Sequence, residues 1–305
     1  MILLAGIASE SPVAFLIEAL DALGVAYRLF HQRRSADYRI QLRIEACGVG
    51  GWLQLDEDTL DLKDVSAVYP RLMDDRLLPE LAGEPEGSPR RRHTRALHDT
   101  FYQWIEVADA RVVNRSDPQG SNGSKPYQAQ LIAAHGLRAP QTLITTAPAE
   151  VLAFRRAHGA IIYKSMSGVR SIVKAFDDED LGRLDDVCWC PVQFQELVAG
   201  HDVRVHVVGH EVHATEIVSD VVDYRYARQS GGSAELRAIE LDRGLAAKCI
   251  ALTAALGLEF SGIDLRIDDS GVATCFEVNP SPSYSYYQAH TGQPIAASLA
   301  RLLAS

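Results

Sequence analysis

Paired cysteines are missing from this sequence, and their absence excludes two classes of small stabilised domain. The five cysteines include no Cys-x-x-Cys pair and give no even set for a secreted disulfide framework. The ten histidines show no metal-ligand spacing. The sequence therefore predicts neither a structural zinc site nor a disulfide-rich secreted domain.

Long apolar runs and a surplus of basic residues are also missing. No apolar run reaches membrane-spanning length, and the apolar start, Met1 to Ile7, is too short for a signal sequence and has no basic region. The formal net charge is −10, and the one basic run, Arg90 to His93, is brief and predicts a solvated loop. We therefore expect a cytoplasmic protein whose partners are neither membranes nor nucleic acids.

The composition is that of an ordinary globular protein. Of 305 residues, 47% are hydrophobic and 23% are charged, which excludes the disordered and fibrous classes. This length exceeds the usual size of one domain, so we expect two or three subdomains.

The start of the chain predicts a β-α-β unit without a dinucleotide fingerprint. Ile2 to Gly6 reads as a buried strand, Pro12 to Leu23 has helical spacing, and Val25 to Phe30 predicts a second strand. No Gly-x-Gly-x-x-Gly follows the first strand, so this parallel α/β lobe is not predicted to bind the nucleotide.

Two lysines stand at positions suited to phosphate groups. Ser124 can cap a helix that places Lys125 at its N-terminus. Lys164 ends a short strand, and the loop that follows contains Ser167 and Gly168. Each lysine alone is typical of a protein surface, but together they are two cations suited to a nucleotide.

The end of one strand and the turn that follows it predict a hinge segment whose backbone contacts adenine. The segment Gln193 to Glu196 ends a strand, Gly200-His201 forms a turn, and Asp202 and Arg204 begin the next strand. The backbone between Gln195 and Val198 can meet a base edge, and the Asp202 carboxylate can accept from ribose hydroxyls. Arg204 is expected in the same cleft.

The strongest local pattern is a hairpin near the C-terminus. Two apolar strands, Ser261 to Ile267 and Val272 to Val278, flank the turn sequence Asp268 to Gly271. With a loop of two or four residues, Asp264 faces Cys275.

In that register three oxygen-bearing side chains share one face. Glu277 is the diagonal neighbour of Asp264, at roughly 7–8 Å between backbones, and Asn279 follows on the same side. Magnesium prefers a few carboxylate oxygens completed by water and phosphates, so this set predicts a magnesium site. The alternative is that the three side chains merely face solvent.

The remaining patterns complete the C-terminal half. Val203 to Val208 and Val212 to Ile217 predict a strand pair, and Leu236 to Leu256 is the longest helical pattern.

Taken together, these residues resemble the ATP-grasp superfamily of carboxylate-amine ligases. The resemblance is closest to the ribosomal-protein glutamate ligases and to the microviridin-type graspetide macrocyclases. The matching motifs are Lys125, Lys164, Gln195-Glu-Leu-Val198, Asp202-Val-Arg204, Asp223-Tyr-Arg225 and Asp264 with Glu277-Val-Asn279. Two features depart from those relatives: Gly168 is a single glycine where many have a richer run, and Tyr224 replaces a common Trp.

The resemblance implies an ATP-grasp fold of α/β class with an N-terminal pre-ATP-grasp α/β lobe. The expected domains are residues 1–110, a central ATP-grasp lobe at 111–191 and a C-terminal ATP-grasp lobe at 192–305. It also implies ATP and Mg²⁺ as cofactors and a homo-oligomer. By that similarity, the residues that bind the nucleotide are Lys125, Lys164, Ser167, Gly168, Gln195, Glu196, Leu197, Val198 and Asp202. The residues that bind the metal are Asp264, Glu277 and Asn279. Arg204 and Arg225 bind the transferring phosphoryl group or the substrate carboxylate.

The implied activity is phosphorylation of a carboxylate to an acyl phosphate, which an amine or a hydroxyl then captures. The favoured substrate is a peptide, with a small-molecule amino-acid or dipeptide ligase as the alternative. A nucleotide-binding regulatory module without turnover is a third hypothesis, which the intact Asp264, Glu277 and Asn279 disfavour.

Overall fold

The computed structural model describes residues 1–46, 48–165, 173–219 and 234–305, and it has the mixed α/β character that the sequence predicts. The strands are β1 (Ile2–Gly6), β2 (Tyr27–His31), β3 (Arg39–Glu45), β4 (Gly48–Leu55), β5 (Asp58–Asp61), β6 (Ala67–Pro70), β7 (Arg111–Val112), β8 (Thr142–Thr145), β9 (Ile161–Ser165), β10 (Lys174–Ala175), β11 (Val192–Glu196), β12 (His201–Val208), β13 (Glu211–Ser219), β14 (Ala234–Ile239), β15 (Phe260–Ile267) and β16 (Ala273–Asn279).

Helices cover the sheets and connect them. The α-helices are α1 (Ser11–Ala22), α2 (Pro89–Val107), α3 (Ser116–Gln119), α4 (Lys125–Ala134), α5 (Pro148–His158), α6 (Arg243–Ala255), α7 (Ser285–Thr291) and α8 (Ile295–Ala304), and the 3₁₀ segments are Gln32–Arg34, Leu62–Asp64, Asp75–Leu77, Pro79–Leu81, Gly120–Gly123 and Asp180–Trp189. Within the described ranges, no helix is both long enough and apolar enough to cross a membrane.

The chain opens with a parallel sheet in the strand order β2-β1-β6-β7. Side chains of β1 alternate between two cores, as the twofold repeat of a strand requires. Ile2 and Leu4 pack with α1 and α8, whereas Leu3 and Ala5 pack with α2 and the small antiparallel sheet β3-β4-β5. The predicted β-α-β opening is confirmed, with its second strand beginning at Tyr27.

Two antiparallel sheets follow and form the rest of the fold. A four-stranded sheet has the order β10-β9-β11-β8, and a five-stranded sheet has the order β14-β13-β12-β15-β16. Helices α4 and α6 cover one face of the larger sheet, where Ile132, Cys249 and Leu252 pack against Val205 and Ile263. On the opposite face of this sheet, strands β12, β15 and β16 carry polar side chains, which form the site described below.

Two local predictions are wrong, and helix capping explains the first. The basic run Arg90 to His93 forms the first turn of α2 instead of a loop. Ser88 caps this helix by accepting a hydrogen bond from the Arg91 N–H at 3.2 Å, and Pro89 occupies its first position.

The long helical pattern from Leu236 to Leu256 is divided between a strand and a helix. Leu236 belongs to β14 and lies opposite Ile217 of β13. The helix begins only at Arg243, because the Asp242 side chain accepts hydrogen bonds from the N–H groups of Gly244 and Leu245. The pairing of β14 with β13 and the Asp242 cap together override the helical periodicity of residues 236–242.

Candidate active site

One face of the five-stranded sheet collects charged side chains from β12 and β15. Asp202 lies opposite Arg266, and Arg204 lies opposite Asp264. Because residues two apart in a strand point to the same side, these four side chains share a face. Gly262 continues the row on β15.

The hairpin of β15 and β16 brings Asp264 and Glu277 together, but in a register that differs from the prediction. Asp264 lies directly opposite Glu277, and Cys275 lies opposite Leu265 in the core. A β-bulge between these pairs leaves Phe276 as an extra residue and reverses the alternation of side chains. The bulge therefore turns Cys275 into the core while Glu277 and Asn279 face the cleft.

Three oxygen-bearing side chains meet at this bulge. The Asn279 amide donates to Asp264 Oδ2 at 3.4 Å and to Glu277 Oε1 at 3.3 Å. Two carboxylates and one amide are a donor set that suits magnesium, which takes few protein oxygens and completes its shell with phosphates and water. No group of three or more His, Cys, Asp or Glu side chains that could hold a metal ion occurs in the described residues.

Helix α4 delivers a lysine to the same point. Lys125 Nζ lies 2.8 Å from Glu277 Oε2. Gln128, one turn further along the helix, donates to the Val278 carbonyl at 2.9 Å and accepts from the Val278 N–H at 2.9 Å. This buried amide therefore fixes the helix, and with it the lysine, against β16.

The charges around Glu277 keep it ionised. Burial alone would raise its pKa, but the positive charges of Lys125 and Lys164 and the hydrogen bonds from Lys125 and Asn279 lower the pKa to about 2. Lys164 lies in β9 opposite Gln193 of β11. The site thus holds a carboxylate that is negative at any physiological pH, with both predicted lysines acting on it.

Arg204 is buried beside the carboxylates. Its Nη1 donates to Asp264 Oδ1 at 2.6 Å, and its guanidinium lies 5.7 Å from the centre of the Tyr287 ring. Space for it comes from Gly262, where a Cβ would stand 2.6 Å from Arg204 Cζ and 2.7 Å from Pro282 Cβ. The absence of a side chain at Gly262 therefore lets the guanidinium approach the backbone of β15 closely.

A Gly262→Ala variant is expected to push Arg204 away from Asp264. The added methyl group overlaps the guanidinium and Pro282, and overpacking of this kind costs about 1–3 kcal/mol of unfolding free energy. We expect a lower melting temperature and a loss of catalytic rate larger than the loss of nucleotide affinity. Gly83→Ala is the matched control, since no atom lies within 4 Å of a Cβ built there; equal behaviour of the two variants would contradict the packing role.

The hinge residues lie at the end of β11, and their own hydrogen bonds limit what a base could contact. The buried Gln195 amide donates to Thr142 Oγ1 at 3.0 Å, and the Glu196 carboxylate accepts from Arg138 Nη2 at 2.8 Å. The N–H groups of Glu196 and Leu197 donate to the carbonyls of residues 141 and 160, both at 3.0 Å. These two N–H groups are therefore not available to an adenine edge.

Arg266 joins the hinge to Asp202, although no sequence pattern identified it as a site residue. Its Nε and Nη2 donate to the two Asp202 carboxylate oxygens at 2.8 and 2.9 Å, and its Nη1 donates to the Val198 carbonyl at 3.1 Å. Phe276, the bulge residue, lies 5.9 Å from the guanidinium. A single side chain thus sets the position of Asp202 relative to the end of the hinge.

An Arg266→Met variant is expected to bind ADP with Mg²⁺ about tenfold more weakly, because Asp202 and Val198 lose the group that aligns them. Isothermal calorimetry measures the change directly. Arg237→Met is the matched control, since Arg237 is an exposed residue of β14 that pairs with Glu235. ADP affinity equal to that of the control would show that Arg266 does not position the nucleotide site.

Some predicted site residues lie outside the part of the chain that the structure describes. Ser167 and Gly168 fall in 166–172, and Arg225 falls in 220–233. The other predicted residues are described, and the sheet face brings together Asp202, Arg204, Asp264, Glu277 and Asn279 with Lys125.

Comparison with known proteins agrees with this architecture. The macrocyclase MdnC of Microcystis aeruginosa MRC, solved with its precursor peptide MdnA, is 20% identical, with a TM-score of 0.81 over 100% of this chain and 99% of its own. The ATP-grasp ligase PsnB, solved with a minimal precursor, Mg and ADP, is 24% identical, with a TM-score of 0.78 over 99% and 97%. D-alanyl-alanine synthetase A of Vibrio cholerae is 12% identical, with a TM-score of 0.60 over 100% and 97%.

These likenesses show the ATP-grasp fold. A search of curated proteins gave no match. The sequence model of the RimK-like ATP-grasp domain family matches residues 124–303, which is more than half of the chain. The chain therefore belongs to the RimK-like ATP-grasp family.

Proposed function

We propose that this protein is an ATP-dependent ligase that activates a carboxylate as an acyl phosphate and joins it to an amine or a hydroxyl, with a peptide as substrate. The observation that carries the proposal is the convergence of Asp264, Glu277 and Asn279 with Lys125 and Arg204 on one sheet face. Phosphoryl transfer needs charge neutralisation and alignment, and this set supplies both without a protein nucleophile.

The nucleotide lies between the two antiparallel sheets in this proposal. Lys125 and Lys164 contact its phosphates, Asp202 accepts from the ribose, and the base meets the hinge through carbonyl groups or the Val198 N–H. The support is that Lys164 acts on Glu277 electrostatically from β9 and that Arg266 holds Asp202 beside the hinge. Mg²⁺ held by Asp264, Glu277 and Asn279 would neutralise phosphate charge.

The reaction balances in two steps. A substrate carboxylate oxygen attacks the γ-phosphorus of ATP, and the bond to the β-phosphate oxygen breaks to release ADP. A neutral amine nitrogen or a hydroxyl oxygen then forms a bond to the acyl carbon while the bond from that carbon to the phosphate oxygen breaks. Inorganic phosphate leaves with its electron pair and takes the proton that the nucleophile loses. In this proposal Arg204 neutralises the transferring phosphoryl group, and the support is its hydrogen bond to Asp264 at 2.6 Å.

A peptide substrate is supported by the proteins of the same fold. MdnC was solved with its precursor peptide, and PsnB was solved with a minimal precursor. Both align along nearly the whole of this chain, including the N-terminal α/β lobe. We therefore propose a peptide rather than two free amino acids.

The test is ADP release by the purified protein with magnesium-ATP, against peptides encoded beside its gene, small peptides and free amino acids. Hydroxylamine added to the same reactions converts an acyl phosphate to a hydroxamate. ADP release that depends on one carboxylate substrate, with a hydroxamate formed from it, is the expected result. Tight ATP binding without ADP release under every substrate would instead support a regulatory module.

A further inference from the structure

A cavity lies at the carboxyl ends of two parallel strands in the N-terminal sheet. It has a volume of about 400 Å³ and is lined by residues that follow β1 and β6, among them Ile7, Glu10, Arg71 and Met73. β1 has β2 on one side and β6 on the other, so the direction in which successive strands are added to the sheet reverses between β1 and β6. In open parallel sheets, ligands bind in the crevice at this reversal.

The cavity is joined to the phosphoryl-transfer site through Arg71. Its Nη1 donates to Ser281 Oγ at 3.1 Å and to the Pro282 carbonyl at 3.4 Å. Ser281, which also lines the cavity, is two residues beyond Asn279, so their Cα atoms are separated by at most about 7 Å. A group bound in the cavity is therefore close to the place where an acyl phosphate would form.

The Glu10 carboxylate is the more exposed of the two charged side chains that line this cavity. Arg71 Nε donates to Glu10 Oε1 at 2.8 Å, and Nη1 donates to Ser281 and Pro282, so two of its three guanidinium nitrogens are held by the protein. Arg71 is only 14% exposed, whereas the Glu10 side chain keeps 39% of its surface exposed. The carboxylate of Glu10, oriented by Arg71, is thus the group that a ligand meets.

We propose that this cavity binds the primary ammonium group of the acceptor, with Glu10 as the carboxylate that receives it. The inference rests on the proposed ligase function and makes it more specific, because an ionised carboxylate selects a cationic amine over a neutral hydroxyl. The ammonium loses one proton to solvent before its nitrogen attacks the acyl phosphate, the second proton leaves with the phosphate, and the product is an amide. A lysine side chain and a peptide α-amine share this chemistry, and the volume is sufficient for either.

Calorimetry with small amines tests the site without requiring turnover. The probes are Nα-acetyl-lysine methylamide for a side-chain amine, alanine methylamide for an α-amine, and Nα-acetyl-norleucine methylamide as the neutral analogue, each titrated with ADP and Mg²⁺ present. We expect wild-type protein to bind one of the two amines at least about tenfold more tightly than the neutral analogue. The preferred probe identifies the source of the amine.

Two variants decide whether Glu10 is responsible. Glu10→Gln is expected to remove the preference for the amine, and Glu18→Gln, which changes an exposed residue of the adjacent helix α1, is expected to keep it. Equal binding of the neutral analogue by wild-type protein, or an amine preference that survives in Glu10→Gln, would overturn the inference.

The result of the amine-binding test can be distinguished from the result of the ligase test. Hydroxamate formation by a protein that shows no amine preference would leave the ligase and remove the acceptor site. A preference that depends on Glu10, in a protein that releases no ADP, would leave the amine site and remove the ligase. In an active enzyme, Glu10→Gln is further expected to lower the ratio of amide to hydroxamate product by about tenfold or more.

Discussion

A Glu277→Gln variant is expected to lose magnesium-dependent ADP formation by at least about 1,000-fold, because the substitution removes a full negative charge from the centre of the site. Glu277 lies opposite Asp264 and within 2.8 Å of Lys125, and its low pKa of about 2 keeps it charged. The amide of Gln has nearly the same shape but cannot replace a carboxylate that binds a cation. The loss should therefore appear in turnover and in the magnesium dependence of nucleotide binding.

The fold of this variant should be retained. The ion pair with Lys125 and the attraction to Lys164 are lost and the hydrogen bond from Asn279 is weakened, whereas the backbone pairing of β15 with β16 and the two hydrogen bonds of Gln128 to Val278 do not involve the Glu277 side chain. Circular dichroism and the melting temperature check this point. Asp269→Asn, an exposed change in the turn of the same hairpin, serves as the control; a Glu277→Gln enzyme as active as that control would show that the metal lies elsewhere.

Much of the local structure was predictable because short-range patterns determine it. The strand Ile2–Gly6, the helix that begins at Lys125 and the hairpin around Asp268 follow from periodicity, from a proline in the first helical turn and from turn residues. The predicted cap by Ser124 is not formed, since its side chain makes no capping hydrogen bond. The shared face of Asp264 and Glu277 was also predicted. These features depend on residues that are near one another in the chain.

The features that were missed depend on how the strands pair, which composition and periodicity do not reveal. The bulge at Phe276 arises where β16 meets β15, and it has no distinct composition that would reveal it in the sequence. Arg266 could be recognised only once β12 lay beside β15 and placed Asp202 opposite it. Gly262 had a weak signal, since a glycine inside a strand often marks a close approach of another group.

The contact between Lys125 and Glu277 also constrains how ligands enter the site. A lysine ammonium at 2.8 Å from a carboxylate oxygen occupies part of the space that a cation bound to that oxygen needs. Magnesium and a nucleotide phosphate arriving together would provide new partners for both groups, the metal for Glu277 and the phosphate for Lys125. We therefore expect nucleotide and metal to bind with positive coupling.

An Arg204→Lys variant should separate catalysis from nucleotide binding. The planar guanidinium donates to Asp264 at 2.6 Å and lies over the Tyr287 ring, in the space left by Gly262. A lysine ammonium keeps the charge but cannot reproduce this forked, flat arrangement. Because Arg204 is expected to act on charge that develops during transfer, kcat should fall by about 10²–10³-fold.

Nucleotide affinity should change much less than this rate. Single-turnover hydroxamate formation measures the transfer step, calorimetry with ADP and Mg²⁺ measures binding, and Arg301→Lys, an exposed residue of α8 paired with Glu211, is the control. If the rate and the affinity fall by the same factor, Arg204 shapes the binding site rather than the transition state. A rate loss that greatly exceeds the affinity loss would assign the guanidinium to the transferring phosphoryl group, since the Asp202–Arg266 ion pair, which we propose lies at the nucleoside end, does not involve Arg204.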